Sequence, residues 1–195
     1  MRSVAPWGLP SSLTAPIILV GGFMLAAARQ SGSYNPWVDT ISALAAPSAI
    51  HPWIMTTALC GLGVCHIATA AALPAAAPLG RFFLAFGGGA TVGVAVFPTN
   101  ATGMSTAHLV AASLAFGALA IWPALARRRR EGHPPILHPR VSFTASAVLL
   151  LLVLWFVLEL VNGSKRVGVA ERSVAVAEAL WPAAVVLYLL RKRAL

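Results

Sequence analysis

Long apolar runs separated by short polar loops dominate the pattern of hydrophobic positions along this chain. Each run is close to the roughly 20 residues that a helix needs to cross a bilayer. Strands of a membrane β-barrel would instead alternate apolar and polar residues over about 10 positions, which these runs do not. The pattern therefore predicts an all-α integral membrane bundle that forms a single domain over 1–195. Its six predicted transmembrane helices lie at 13–28, 52–73, 82–97, 107–126, 141–161 and 173–190.

The composition excludes a water-soluble protein. Hydrophobic residues make up 58% of the 195 positions and charged residues only 10%, whereas a soluble domain usually carries about 25% charged residues. So few charges cannot cover a surface that faces water. Lipid is therefore the expected solvent, and in lipid each helix must satisfy its own backbone hydrogen bonds.

The net charge of +9 is concentrated in loops and at the ends of the apolar segments. With the N-terminus inside, ten basic residues fall on the inner side and four on the outer side, as the positive-inside rule predicts. The loop at 127–140, which opens with four arginines, is then expected to anchor the chain at lipid headgroups. We expect a multi-pass protein of the bacterial cytoplasmic membrane with both termini in the cytoplasm, and no nucleic-acid partner.

The first outer loop contains a short predicted helix. Asn35 followed by Pro36 is typical of a helix start, with Asn as the N-cap and Pro as the first helical residue. A short amphipathic helix near 36–45 should then lie at the membrane interface. Asp39 has two interpretations. In the structural one, it complements the positive N-terminus of this helix or pairs with Arg29 or Arg172. In the functional one, it takes part in a site.

Scarce ionisable residues gather on the expected outer side. Charged groups inside a membrane are costly, so they usually face the bundle interior and indicate function. Of the five acidic and five histidine residues, those on the outer side are Asp39, Glu159, Glu171, Glu178, His51 and His108. For His108 the alternative is a plain packing role in the first turn of a helix that is capped by Ser105 or Thr106.

Glu171 and Glu178 are seven residues apart in the last segment. They therefore share one helix face, with Glu178 about 10 Å deeper along the axis. A carboxyl group at that depth needs a partner or a bound proton, and either suits proton chemistry. The structural alternative is a salt bridge with Arg172 or Arg29, or a hydrogen bond to a neighbouring helix.

Two features inside the spans favour packing rather than chemistry. His66 lies in the middle of the second segment, where we expect it to be far from the other polar groups and to form an interhelical hydrogen bond. Gly89 and Gly93 form a small-xxx-small pattern that lets two helix backbones approach closely.

Five motifs stand out in the outer loops: YNPWVDTISAL at 34–44, AP at 46–47, HPW at 51–53, FPT at 97–99 ahead of His108, and GVAER at 168–172. Together they resemble a family of bacterial membrane proteins, the domain-of-unknown-function family 998. The resemblance covers nearly the whole chain and implies a six-helix membrane bundle. More distantly, DTIS at 39–42 is similar to the first loop of the Frag1/DRAM/Sfk1 membrane proteins, some of which are linked to lipid handling.

The outer polar residues favour a lipid- or isoprenoid-processing site that uses acid/base chemistry, as a hydrolase or a cyclase would. A carboxyl group in an apolar cavity can act as an acid or a base, and a serine near a base can act as a nucleophile. The candidate catalytic residues are Asp39, Ser42, His51, His108, Glu171 and Glu178. The candidate substrate-binding residues are Asn35, Trp37, Trp53, Arg166, Arg172 and Glu159.

Neither a metal nor a cofactor is predicted. Zinc would need at least three ligands around one point, and the sequence lacks an HxxxH or HExxH pair. Two other functions stay open: a non-catalytic subunit that binds lipid or joins a complex, and a small proton-coupled transporter. The expected partners are membrane lipids and, through small-residue helix faces, a second copy of the chain or another membrane protein.

Overall fold

The computed structural model describes residues 4–32, 34–99, 105–128 and 134–194. Within these ranges the chain forms six α-helices and no β-strand. The helices are α1 (Gly8–Ala28), α2 (Trp53–Ala72), α3 (Pro78–Val96), α4 (Thr106–Leu125), α5 (Pro139–Val161) and α6 (Val167–Ala194). All six are long and apolar enough to cross a membrane. The prediction of an all-α bundle of six transmembrane helices is therefore confirmed.

The helices form a closed ring in chain order. Each helix packs against the next, and α6 returns to pack against α1. Successive helices cross the bundle in alternate directions, so neighbouring helices in this ring run antiparallel. Three helices begin at least four residues earlier than their apolar segments predicted: α1 begins at Gly8 rather than Leu13, α3 at Pro78 rather than Phe82, and α6 at Val167 rather than Ser173.

The helix starts follow local chemistry. Ser105 caps α4, since its hydroxyl accepts a hydrogen bond from the backbone N–H of His108 at 3.2 Å. Pro78 and Pro139 occupy the first turns of α3 and α5, where a missing N–H costs nothing. Of the two residues predicted as the cap of α4, Ser105 has this role and Thr106 is the first residue of the helix.

Glycines bring α2 and α3 into backbone contact. A Cβ atom on Gly63 would lie 2.4 Å from the carbonyl oxygen of Gly88, and one on Gly88 would lie 2.6 Å from that of Gly63. Gly89, in contrast, has no neighbouring atom within 4 Å of such a position. The small-xxx-small pattern of Gly89 and Gly93 is therefore not the one that brings α2 and α3 together.

The segment at 34–52 closes one end of the bundle, which we call the capped end. The short helix expected near 36–45 is not continuous there. The backbone N–H groups of Val38 and Asp39 bond to the carbonyl of Asn35 and form a turn, and a separate 3-10 helix covers Ser42–Ala45. Asn35 does cap its turn, since its side-chain oxygen accepts from the N–H of Trp37.

The opposite end of the bundle contains a second 3-10 helix at Pro135–Leu137. Arg128 lies here and donates to the carbonyls of Ala75 and Ala76. Part of the arginine-rich run, together with Glu131 and His133, lies outside the described residues.

Candidate functional site

The capped end is held to the start of α6 by backbone contacts. The carbonyl of Trp37 accepts from the N–H of Gly168 at 3.0 Å. A Cβ atom on Gly168 would lie 2.4 Å from the carbonyl oxygen of Asp39 and 2.6 Å from that of Pro36. Only glycine therefore allows the loop to sit this close to the helix.

Arg172 completes this junction. Its guanidinium donates to the carbonyls of Pro36 at 2.8 Å and Asp39 at 2.9 Å, and to the hydroxyl of Tyr34. It also lies over the rings of Phe23 and Tyr34, 5.5 and 5.8 Å from their centroids. These contacts occupy the planar face and most of the donors. Arg172, predicted to bind substrate, is thus used to hold the loop.

Tyr34 lies between Arg172 and the loop backbone. Its hydroxyl donates to the carbonyl of Thr40 at 3.1 Å. Burial raises the pKa of Tyr34 to about 12, although the neighbouring Arg172 acts in the opposite direction. The neutral phenol is therefore the form that this junction favours.

Glu171, one residue before Arg172, projects into the bundle. Its side chain is buried. One carboxylate oxygen accepts from the backbone N–H of Ile41, and the other accepts from the hydroxyl of Ser42 at 3.2 Å. Two donors on one carboxylate stabilise its ionised form. The 3-10 helix at Ser42–Ala45 positions this serine and so brings two predicted site residues together.

His108 is buried in the first turn of α4. Its Nδ1 lies 2.7 Å from the carbonyl oxygen of Phe97. A carbonyl can only accept, so Nδ1 is the protonated nitrogen of the neutral ring. Nε2 then has a free lone pair and can act as a proton acceptor.

A groove between α4 and α5 brings these groups to one surface. We call this the lateral groove; its volume is about 210 Å³. Three of its lining side chains, Leu109, Ser113 and Val157, are exposed on the outside of the bundle, where a transmembrane protein meets lipid. The groove's polar lining consists of Thr40, Ser42, His108, Ser113 and Glu171.

A second space, the inner cavity, lies deeper in the bundle and has a volume of about 50 Å³. Ser42 and Glu171 line both spaces and so stand at their border. The other polar side chains of the inner cavity are His66, Thr91 and Glu178. Most of the remaining wall is aliphatic, with Leu19, Leu59, Leu62 and Val94 among its residues.

The prediction that His66 lies far from the other polar groups is wrong. His66 and Glu178 line the same cavity, and among the described residues neither ring nitrogen of His66 has a hydrogen-bond partner. Both α2 and α6 begin at the capped end, so depth can be counted from Trp53 and Val167. At 1.5 Å per residue His66 lies about 20 Å and Glu178 about 17 Å along its helix. The predicted start of α6 at Ser173 places Glu178 only about 8 Å along the helix, so the predicted boundaries concealed this shared depth.

Other predicted site residues lie outside both spaces. Asp39 accepts from the N–H of Asn35 at 2.7 Å and so stabilises its own turn. His51 is exposed with a positive φ of 55°. Trp37 and Trp53 are 64% and 62% exposed, as aromatic side chains at a membrane interface often are.

Glu159 forms a separate polar cluster where α5 ends. Its carboxylate accepts from the indole of Trp155 at 2.8 Å and from the hydroxyl of Ser164. Arg166 makes an ion pair with it at 3.1 Å. These contacts close the turn between α5 and α6, and neither Glu159 nor Arg166 lines the lateral groove or the inner cavity.

The described part of the chain contains no group of three His, Cys, Asp or Glu side chains that could hold a metal ion. A family model described as "Protein of unknown function (DUF998)" matches residues 13–188. Comparison with curated proteins and with solved structures finds no match to this chain.

Proposed function

This chain belongs to the DUF998 family, and we propose that it binds a membrane lipid or isoprenoid in the lateral groove and processes it by acid/base chemistry. The observation that carries the proposal is that Ser42, His108 and Glu171 line one groove. These residues come from the capping segment, α4 and α6. The groove opens where a lipid can enter sideways without leaving the membrane.

Each polar group has a chemical role in this proposal. Nε2 of His108 accepts a proton, because its Nδ1 is tied to the carbonyl of Phe97. The carboxylate of Glu171 accepts a hydrogen bond from the hydroxyl of Ser42. In this proposal the bond orients the serine oxygen toward the groove. The apolar wall from α4 and α5 holds the hydrocarbon part of the ligand. Hydrolysis or proton-initiated cyclisation would both use this set of groups.

The proposal is tested by turnover of membrane lipids. The purified full chain in lipid nanodiscs is incubated with a total lipid extract from a bacterium, and products are followed by mass spectrometry. We expect His108→Gln and Ser42→Ala to lower turnover about a hundredfold or more. His138→Gln and Ser173→Ala, which change residues outside both spaces, serve as controls and should leave it unchanged. Equal turnover by all four variants would refute acid/base processing at this groove.

A non-catalytic lipid-binding role is the second candidate. It is supported by the bonds of Glu171, whose two oxygens already receive donors from the capping segment. In that case Ser113→Trp, which narrows the groove, would abolish co-purification of lipid in native mass spectrometry, while no lipid would be turned over by the unchanged protein. The proton-coupled transporter and the association with another membrane chain stay predictions.

We also propose that both termini lie in the cytoplasm of a bacterial cell and that the capped end faces outward. The support is the excess of basic residues on the side that holds the arginine-rich loop at 127–140, according to the positive-inside rule. Fusion of a reporter to the C-terminus of the full chain tests this. A phosphatase that works only outside the cytoplasm should be inactive there, and a cytoplasmic fluorescent protein should be bright.

A further inference from the structure

The inner cavity holds polar atoms without partners at the centre of the bundle. His66 on α2 is 1% exposed and Glu178 on α6 is 2% exposed. Within the described residues, both ring nitrogens of His66 and the Oε1 atom of Glu178 lack a hydrogen-bond partner. Both side chains line the cavity, together with aliphatic residues of α1, α2, α3 and α4.

Such atoms need a partner that the protein itself does not provide. Buried polar groups are nearly always hydrogen-bonded, and a buried water typically makes about three such bonds. One water needs about 10–15 Å³, so a cavity of about 50 Å³ has room for about three to five. The cavity is therefore large enough to hold a water molecule beside each of these open polar atoms.

The charges around the cavity determine where a proton can be. His66, Glu171 and Glu178 are the titratable side chains of its lining; α1, α3, α4 and the capping segment contribute none. Glu171 already accepts two hydrogen bonds, which favours its carboxylate form. No lysine or arginine is among the lining residues to balance a second carboxylate. Glu178 is therefore the residue that carries a proton and is neutral.

We infer that the inner cavity is a hydrated proton-transfer site in which bound water bridges Glu178 and His66 and connects them with Glu171 at the border of the lateral groove. In the transfer, the proton on Glu178 passes to a water molecule while that water gives one of its own protons to Glu171. Glu178 is left as the carboxylate and Glu171 as the neutral acid, so the charge is conserved. The use of this proton on a lipid rests on the proposed function.

Infrared spectroscopy in H₂O and D₂O tests the inference without any substrate. The full chain in lipid nanodiscs should show a C=O band of a neutral carboxylic acid that disappears in Glu178→Gln. Because water reaches this group, the band should move to lower wavenumber within minutes of transfer to D₂O. Glu159→Gln is the matched control, since Glu159 is a buried carboxyl group outside the cavity, and it should leave the band in place.

Variants whose larger side chains fill the inner cavity provide the second measurement. Ala115 and Ala175 line the cavity with small side chains, so Ala115→Leu or Ala175→Val should displace water and slow the D₂O shift at least about tenfold. A band that is absent, or that stays unshifted after hours in D₂O in the unchanged protein, overturns the inference. Normal lipid turnover with an unshifted band overturns the inner site alone. An exchanging band without lipid turnover overturns the proposed function alone.

Discussion

The carboxylate of Glu171 accepts a hydrogen bond from the backbone N–H of Ile41, which lies 130 positions earlier in the chain. The same carboxylate accepts from the hydroxyl of Ser42. This contact joins α6 to the segment that caps the bundle. It also fixes one wall of the lateral groove, so the stability of the capped end and the geometry of the candidate site depend on one side chain.

Replacing Glu171 should therefore weaken the capped end. Glu171→Gln loses the charge that strengthens both hydrogen bonds, and we expect a decrease of about 1–2 kcal/mol in the free energy of unfolding. Ser42→Ala removes only the bond at 3.2 Å and should cost less. Denaturant titration of the purified protein in detergent measures both values. A larger loss for Ser42→Ala than for Glu171→Gln would contradict this account.

Gly168 should be the least replaceable residue of this junction. Gly168→Ala places a methyl group 2.4 Å from the carbonyl oxygen of Asp39, so the loop must move away from α6. Overpacking of this kind typically costs about 1–3 kcal/mol. We expect faster hydrogen–deuterium exchange at 34–52, measured by mass spectrometry.

Gly21→Ala is the matched control for Gly168→Ala. Gly21 also lies in a helix, but no atom is within 4 Å of its added methyl group. Alanine favours a helix over glycine by about 1 kcal/mol, so this variant should be as stable as the unchanged protein or more so. Unchanged hydrogen–deuterium exchange at 34–52 in Gly168→Ala would show that the loop lies farther from α6 than in this structure.

The contrast between local and long-range contacts explains how far the sequence could predict the site. The six helices follow from the length of apolar runs, and the capping role of Asn35 follows from local chemistry, although the continuous helix expected near 36–45 does not form. The contact between Glu171 and Ile41 depends on how α6 packs against a distant loop, which no local pattern specifies. The shared cavity of His66 and Glu178 could not be predicted either, because α6 begins six residues before its apolar segment and the direction of each side chain depends on packing.

The glycines of α3 show the same limit of prediction from local sequence. Gly87, Gly88 and Gly89 are consecutive, and each step along a helix rotates the side-chain position by about 100°. The sequence indicates that α3 approaches another helix closely but does not select the residue. Packing against Gly63 selects Gly88, while Gly89 is left on an open face.

Neighbouring glycines of α3 should consequently respond in opposite ways. Gly88→Ala pushes a methyl group to within 2.6 Å of the carbonyl oxygen of Gly63, so we expect a loss of about 1–3 kcal/mol in the free energy of unfolding. Gly89→Ala meets no atom within 4 Å and should be neutral or stabilising. Thermal unfolding of the two variants in the same detergent measures the difference. Equal melting temperatures would mean that α2 and α3 are not in backbone contact.

Tyr34 should make the stability of the junction depend on pH at the alkaline end. Its pKa is raised to about 12 by burial, whereas an unfolded tyrosine has a pKa of about 10. Between these values the folded chain keeps the proton that the unfolded chain has released. The stabilisation by Tyr34 is therefore fully present below about pH 10 and is lost as the pH rises through about 12.

Tyr34→Phe should remove this part of the alkaline transition. Phenolate absorbance of the folded protein, followed as the pH is raised, should show one tyrosine that titrates near pH 12 in the unchanged protein and is missing in the variant. Tyr188 is common to both proteins, so the difference between the two curves reports Tyr34. The free energy of unfolding of Tyr34→Phe should also fall less steeply between pH 10 and pH 12 than that of the unchanged protein. A difference curve centred near pH 10 would mean that Tyr34 is open to water, and that the contact with Arg172 does not shield it.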